Sequence, residues 1–399
     1  MNPALEVIIA EKSNKLLSKV KVSGGGRCNV THACFEIAEM IKKYPRGLNF
    51  VKKTFHQFFT TDTIQWFRER SVALKTEPDG RMFPVSNTSQ TIIDCLMREA
   101  DKYGVVIKMN TEISSLKPGN GKFVLEISSL KEDVSDSLLT THHSAMLDAD
   151  YVCIACGGYP KSSMFEWLIQ LGHTIENPVP SLFTFNIPGN SITKLMGISV
   201  ENVRVKIAGS KLETSGPILI THWGLSGPAI LKLSAWGARE FAGCNYAFTA
   251  VINWLPSFNE QTLREKFEQL RFGKATQKIN NKNPFGLPQR LWEYFLLQSG
   301  VKEEMRWADL PVTAQNKLIR ILCVQDFSIR GKTTFKEEFV TAGGIKLNEI
   351  DVNTMMSKRL PGLYFAGEIM DVDGITGGFN FQHAWTSGWI AAKSIADAG

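Results

Sequence analysis

The sequence has no apolar run near the ~20 residues of a membrane-spanning helix, and its first twelve residues lack the basic start and apolar core of a secretory leader. It also lacks a G-x-S-x-G strand-to-helix turn and an H-E-x-x-H helix, which sets aside the serine-hydrolase elbow and the zinc-protease site. No membrane contact is expected, and a cytoplasmic location is. The seven cysteines are an odd number in 399 residues, which argues against a disulfide framework. Only one C-x-x-C pair occurs, Cys153 and Cys156, so no zinc site can be completed and no metal is expected. These two cysteines lie where an apolar strand runs into Gly157 and Gly158. Strand alternation puts residues three apart on opposite faces, so both are expected as buried small hydrophobes rather than a redox pair.

What is present is an ordinary globular composition, 43% hydrophobic and 21% charged, with a net charge of +6 that allows a polyanionic partner without demanding one. The basic residues are scattered except for Lys274 to Lys282, which a solvated loop explains equally well. Leu5 to Ala10 reads as a buried parallel strand ending at Glu11. Helices are expected near 35–43, 50–58 and 63–70, and an amphipathic one over 88–103 with Ile92, Ile93, Leu96, Met97 and Ala100 on one face. Strands follow at 105–109, 123–127 and 151–155, with a polar hairpin over 129–148. The alternation indicates an α/β fold with a parallel sheet. From 187 to 255 short strands separated by Gly, Pro and Asn suggest a β-barrel-like insert. From 256 to 330 a helical insert follows, with Phe267, Leu270, Leu291, Trp292, Phe295, Leu296, Leu318 and Leu322 as core. Residues 335–340 and 363–366 return to strand. The nucleotide-binding domain is therefore expected to be discontinuous, 1–186 and 331–399.

The chemistry gathers at glycines. Gly362 to Glu368, then Asp371, Asp373, Gly374, Gly377, Gly378, Phe379 and Asn380, reads as strand, acidic glycine-rich turn and helix. Small residues admit a ligand close to backbone, and the helix N-terminus directs unpaired N–H groups at an anion. A second loop, Ser23-Gly24-Gly25-Gly26-Arg27-Cys28-Asn29, offers successive backbone amides and an arginine fork for phosphate; a flexible linker is the alternative. Glu11 stands where a doubly wound fold contacts an adenosine ribose. The phosphate fingerprint G-x-G-x-x-G, expected about twenty residues before such an acid, is missing, and with it the first strand and the pyrophosphate helix. In Thr221 to Pro228, Ser226 is placed to N-cap a helix starting near Pro228, and His222 just before it is a candidate proton donor or a satisfied structural histidine. Cys28 is the other candidate donor, and a packed thiol is its plainer reading. His383 is expected to pack.

Taken together, Ser23 to Asn29, Ala155 to Gly158 with Pro160-Lys161, Pro180 to Leu182, Thr221-His222 with Ser226 to Pro228, and Gly367-Glu368 with Asp371 to Asn380 resemble the BaiN/RdsA-like (YhiN) family of FAD-dependent oxidoreductases, in order along essentially the whole chain. The resemblance implies a Rossmann-like FAD domain interrupted by a β-barrel-like and a helical domain. It implies that Glu11 and Lys12 hold adenosine ribose, that Ser23 to Asn29 contact flavin and diphosphate, and that Gly157 and Gly158 close over the adenine side. Gly367, Glu368, Asp371 and the Asp373 to Asn380 turn would serve the ribityl chain, pyrophosphate and isoalloxazine. It further implies hydride transfer from NAD(P)H through FAD to an activated carbon–carbon double bond, in an oxo-steroid enone or a uridine of ribosomal RNA; the basic balance favours RNA. The family's N-terminal strand and helix are not in this sequence. The expectation is a true start upstream, the alternative a shortened chain that binds FAD weakly. Two rival functions stand beside the reductase: a non-catalytic remnant or RNA-binding protein, and a flavin amine oxidase.

Overall fold

Four short strands run parallel in two pairs: Ile8–Ala10 beside Val106–Lys108, and Val152–Ile154 beside Leu363–Phe365. They belong to the first of two units in the computed structural model, Met1–Val179 with Lys336–Gly399; the second is Pro180–Phe335. The structure describes residues 2, 4–119, 121–130, 142–334 and 340–399. The α/β character read from the sequence is present, with parallel strands in the first unit.

Two burial expectations fail here, in the strands because each has one covered face and at Cys156 because it lies beyond the end of its strand. The run from Leu5 forms a strand only over Ile8–Ala10, with Ile9 at 43% exposure, and both Cys153 and Cys156 are exposed, free thiols. Each strand pairs along one edge and packs one face, so Ile154 is buried while Cys153, one position earlier, points the other way.

Around these strands the first unit adds an antiparallel meander, Thr111–Gly119, Lys122–Leu130 and His142–Ala149, and a small sheet of Thr31–His32, Arg81–Pro84 and Leu74–Thr76. Residues 131–141 of the expected hairpin, and 335–339 of the expected strand, lie outside the described residues. The amphipathic helix is Gln90–Lys102; its fully buried residues are Ile92 and Cys95, packed with Val20, Cys28, Val30, Phe67 and Val72. That cluster supports the first glycine loop from beneath.

In the second unit a seven-stranded antiparallel sheet takes the order 325–330, 247–253, 199–207, 213–220, 224–226, 184–186, 332–333. Val203, Val205 and Ile207 alternate inward along one strand, as period-two patterning requires. Helices Glu260–Gly273, Gln289–Ser299 and Val312–Cys323 share one hydrophobic core with that sheet. All eight helical core positions read from the sequence are at most 6% exposed, each burial worth roughly 2–3 kcal/mol for the large side chains. No helix among the described residues is long and apolar enough to cross a membrane.

Candidate functional site

The C-terminal turn is built by its own residues. The buried strand Leu363–Phe365 ends, Gly367 takes a left-handed φ of 73°, and the chain runs through Asp371 and Asp373 into the helix Phe379–Ala398. Asn380 closes the turn reciprocally: the Gly374 N–H donates to its Oδ1 at 2.7 Å, and its Nδ2 donates to the Gly374 carbonyl at 2.9 Å. Tyr44 donates its hydroxyl to the Phe379 carbonyl at 2.6 Å. Asp373 is fully buried, with two guanidinium N–H groups of Arg46 on its carboxylate, so it braces the turn. Asp371 donates its N–H to the Ile345 carbonyl at 3.1 Å.

The first loop is a helix that breaks. Ser18–Gly26 is helical only until Ser23, whose ψ of 146° turns the chain into left-handed Gly24 and Gly25. A Cβ on Gly24 would meet the Phe83 ring at 2.6 Å, whereas Gly25 and Gly26 have nothing within 4 Å of that position. Arg27 does not present an open fork: its Nη1 donates to Glu77 at 2.9 Å and its guanidinium lies 4.0 Å from the Phe83 ring centre. Cys28 is sealed beneath the loop, fully buried, its N–H on the Ser23 carbonyl, and burial pushes the thiol up to about 12. Asn29 joins the two loops: with its side-chain amide turned to the orientation that satisfies both neighbours, its oxygen accepts from the Gly378 N–H at 2.9 Å and its nitrogen donates to the Thr31 carbonyl at 3.0 Å.

A third wall meets them. A Cβ on Gly158 would stand 2.6 Å from Glu368 Oε1 and 2.7 Å from Thr341 Oγ1, so glycine is what lets this backbone come so close. Glu368 accepts the Thr341 N–H at 2.8 Å and pairs with Lys19 at 2.5 Å. Gly157, at φ 77°, has nothing within 4 Å of a Cβ position. Glu11 ends its parallel strand as expected from the pattern, with its carboxylate accepting the Ser13 N–H and hydroxyl at 2.7 Å; Lys12 pairs with Glu112 at 2.5 Å.

His222 is exposed beside Trp223 in the second unit, and Cys28 belongs to the first. The expected Ser226 cap is corrected: the helix Pro228–Trp236 is capped by Gly227 at φ 93°, without a side-chain bond. Ser226 is still in strand pairing opposite Leu219, and its hydroxyl receives Thr184 Oγ1 at 3.1 Å.

Three contributors were missed. Lys19 and Thr341 both hold Glu368, and His32 lies against Phe379 with 4.7 Å between ring centres and Nδ1 3.0 Å from the Gly377 carbonyl. A signal for Thr341 existed in Gly343-Gly344, two strand glycines marking close backbone approach; a Cβ on Gly343 would meet the Asn177 carbonyl at 2.6 Å. Nothing in the local sequence singles out Lys19.

One constellation mimics a hydrolase triad. His173 Nδ1 lies 3.1 Å from Glu349 and its Nε2 3.2 Å from the Ser357 hydroxyl, all three buried. The Ser357 oxygen, however, accepts the N–H groups of Arg359 and Leu360 at 3.0 Å, so its lone pairs are engaged and no nucleophile is presented. Burial raises the Glu349 carboxyl, but hydrogen bonds from Arg359, Thr174 and His173 outweigh it and hold the group at about 2. This network fastens the approach to the strand Leu363–Phe365.

The residues present fit an extended phosphate-bearing cofactor such as FAD. Gly25, Gly26 and Gly157 leave backbone accessible on left-handed turns, and the helix from Phe379 has no side-chain cap. Thr341 Oγ1 and both ring nitrogens of His383 are buried without a hydrogen-bond partner, a condition folded proteins rarely leave unanswered. The Gly367 backbone lies beside the imidazole, and burial holds His383 down at about 4, hence neutral.

Comparison with known proteins agrees with this geometry. A family model described as HI0933-like protein Rossmann domain matches residues 1–394. Ribosomal RNA dihydrouridine synthase of Escherichia coli (strain K12) is 30% identical over 396 residues, 98% of this chain and 92% of that protein. The protein of that name from Haemophilus influenzae (strain ATCC 51907 / DSM 11121 / KW20 / Rd) is 28% identical over 397 residues, with the same shares. The 3-dehydro-bile acid delta(4,6)-reductase of Clostridium scindens (strain ATCC 35704 / DSM 5676 / VPI 13733 / 19) is 24% identical over 404 residues, 98% of this chain and 93% of that one.

Proposed function

The chain belongs to the HI0933-like protein Rossmann domain family, a family of flavin-dependent oxidoreductases, and on that footing we propose that it reduces an activated carbon–carbon double bond of a uridine in ribosomal RNA, with NAD(P)H as electron donor. The observation that supports the reading is the hydrogen bond from Gly378 to Asn29, which fastens together the two loops that the sequence marks for FAD. The 30% identity to an rRNA dihydrouridine synthase supports the uridine. An enone is the second reading, favoured by the 24% identity to a bile acid reductase.

FAD, when bound, supplies the hydride carrier. Glu11 and Lys12 would hold its adenosine ribose, Gly25, Gly26 and Gly157 would admit its length, and the uncapped helix at Phe379 would face its negative charge. Glu368, fixed by Lys19 and the Thr341 N–H, keeps a carboxylate oriented at the meeting of three loops. Asp373, Asn380 and Asn29 hold the turn rigid. Neutral His383 offers a hydrogen-bond donor and an acceptor without adding charge to the site. Cys28, beneath the loop, is assigned to packing; the proton that completes reduction is not assigned to it.

The test is purification of the protein, a visible spectrum for bound flavin, and anaerobic bleaching by NADH or NADPH. Bleaching by a primary amine instead would replace the reductase with an oxidase. Mass spectrometry of ribosomal RNA from cells with and without the gene should show loss of dihydrouridine in the latter. Equal content in both removes the uridine reading and leaves the enone.

A further inference from the structure

The uridine reading requires somewhere for a polyanion to rest, and the second unit contains a stretch with the right chemistry. From Gln269 to Trp292 the chain carries five basic residues, Arg271, Lys274, Lys278, Lys282 and Arg290, and no acidic one. Arg271 is committed to scaffolding, donating to the Leu310 carbonyl and to Gln315, and Lys278 pairs with Glu304. Lys274, Lys282 and Arg290 make no ion pair among the described residues. Neither does Arg306, which a β-bridge sets opposite Lys278. Four cations without partners on one edge raise the local potential, and polyanion binding relieves it by releasing counterions.

The stretch is also held in place. Ile279 donates its N–H to the Met305 carbonyl at 2.9 Å, and Trp307 and Ala308 donate theirs to Gln277 and Ala275 at 3.1 Å. Buried Trp292 donates its indole N–H to the Ile279 carbonyl at 3.2 Å. At the entrance to this edge stands Phe272, 84% exposed, the most exposed large hydrophobic side chain among the described residues. An aromatic ring in water beside uncompensated cations is the combination that single-stranded RNA recognises, since every base has a face to stack and every step a phosphate to pair.

We propose that this edge, in which residues 269–292 carry no acid and Glu304 is taken by Lys278, is an RNA-docking surface, Lys274, Lys282, Arg290 and Arg306 contacting phosphates and Phe272 stacking on an unpaired base. The proposal rests on the uridine reading for its choice of RNA. The experiment titrates the full chain into a fluorescein-labelled, uridine-rich single-stranded RNA at several KCl concentrations and follows anisotropy. Phe272→Ala should weaken binding about tenfold. Lys274→Ala with Lys282→Ala and Arg290→Ala should flatten the slope of log K against log salt by roughly 2. These positions are exposed or half-buried, so thermal melting should be unchanged in both variants and serves as the folding control. Wild-type affinity and slope in both variants would overturn the proposal, as would absence of RNA binding by the wild type, or binding to phosphatidylserine vesicles in place of RNA. The two readings separate cleanly. Dihydrouridine that depends on the gene, with binding untouched in the variants, removes the surface and keeps the substrate. Variant-sensitive binding, with dihydrouridine independent of the gene, does the reverse.

Discussion

Asn29 accepts the backbone N–H of Gly378 at 2.9 Å, so a loop near the start of the chain and a turn near its end are fastened to each other by one amide. Asn29→Ala removes both that acceptor and the donor to Thr31. The expected cost is roughly 1–3 kcal/mol, because the Gly378 N–H loses its partner at a site largely shielded from water. Urea unfolding should show the loss, and flavin titration by fluorescence should show weaker retention.

Gly158 and Gly388 make a contrasting pair. A methyl at 158 would collide with Glu368 and Thr341 at 2.6 and 2.7 Å, whereas one at 388, inside the terminal helix, meets nothing within 4 Å. Gly158→Ala should therefore lose bound flavin and about 1–3 kcal/mol of stability. Gly388→Ala should gain roughly 0.5–1 kcal/mol from helix propensity and retain flavin. Parallel melts and absorbance ratios check both.

The buried His383 gives a pH signature. Its folded value of about 4 lies below the usual 6.5, so between these limits the unfolded chain takes up a proton that the folded one refuses. Its contribution is fully present above pH 6.5 and is lost as pH falls towards 4, by about 3 kcal/mol. The stability difference between wild type and His383→Leu should shift by that amount between pH 7 and pH 4. A constant difference would show that the imidazole is not held neutral. Glu349 acts in a lower window: held at about 2, its contribution is present above the usual carboxylate value and lost only as pH falls from about 4.5 towards 2.

Thiol chemistry should divide the cysteines. Cys153, Cys156 and Cys244 are exposed, whereas Cys28, Cys95 and Cys323 are buried. Iodoacetamide at pH 8 should label Cys244 within minutes, Cys153 and Cys156 far more slowly because desolvation raises both thiols, Cys153 to about 12, and Cys28, Cys95 and Cys323 only after unfolding, as read by peptide mass spectrometry. Rapid labelling of Cys28 in the folded protein would return it to consideration as a reactive group.

The turns were legible in the sequence because glycine and asparagine constrain backbone locally: Gly374, Gly377, Gly378 and Asn380 announce a tight turn wherever they occur in that order. The helical core positions were legible because period-3.6 burial is a local pattern too. Partnerships were not. That Arg46 takes Asp373, Lys19 takes Glu368, and Glu77 takes Arg27 depends on how distant segments are threaded together, which no local pattern encodes. The exposure of Cys153 escaped for a related reason, since an apolar strand does not say how many of its faces and edges find neighbours.

The fastening of the terminal helix has a consequence for synthesis. Thr31 bonds Gln382, the Val30 carbonyl receives Trp385, and the Phe58 carbonyl receives Thr386, so the opening residues are completed by the closing ones. On the ribosome the whole of Pro180–Phe335 emerges between them. At about 5–20 residues per second, Val30, Phe58 and Phe67 wait on the order of ten seconds or more for their covering helix. The intervening unit, continuous in sequence, needs no such wait. Nascent chains halted before Phe379 should therefore carry a folded middle and an open, protease-sensitive first segment, and the helix Phe379–Ala398 is the clasp that closes the first unit.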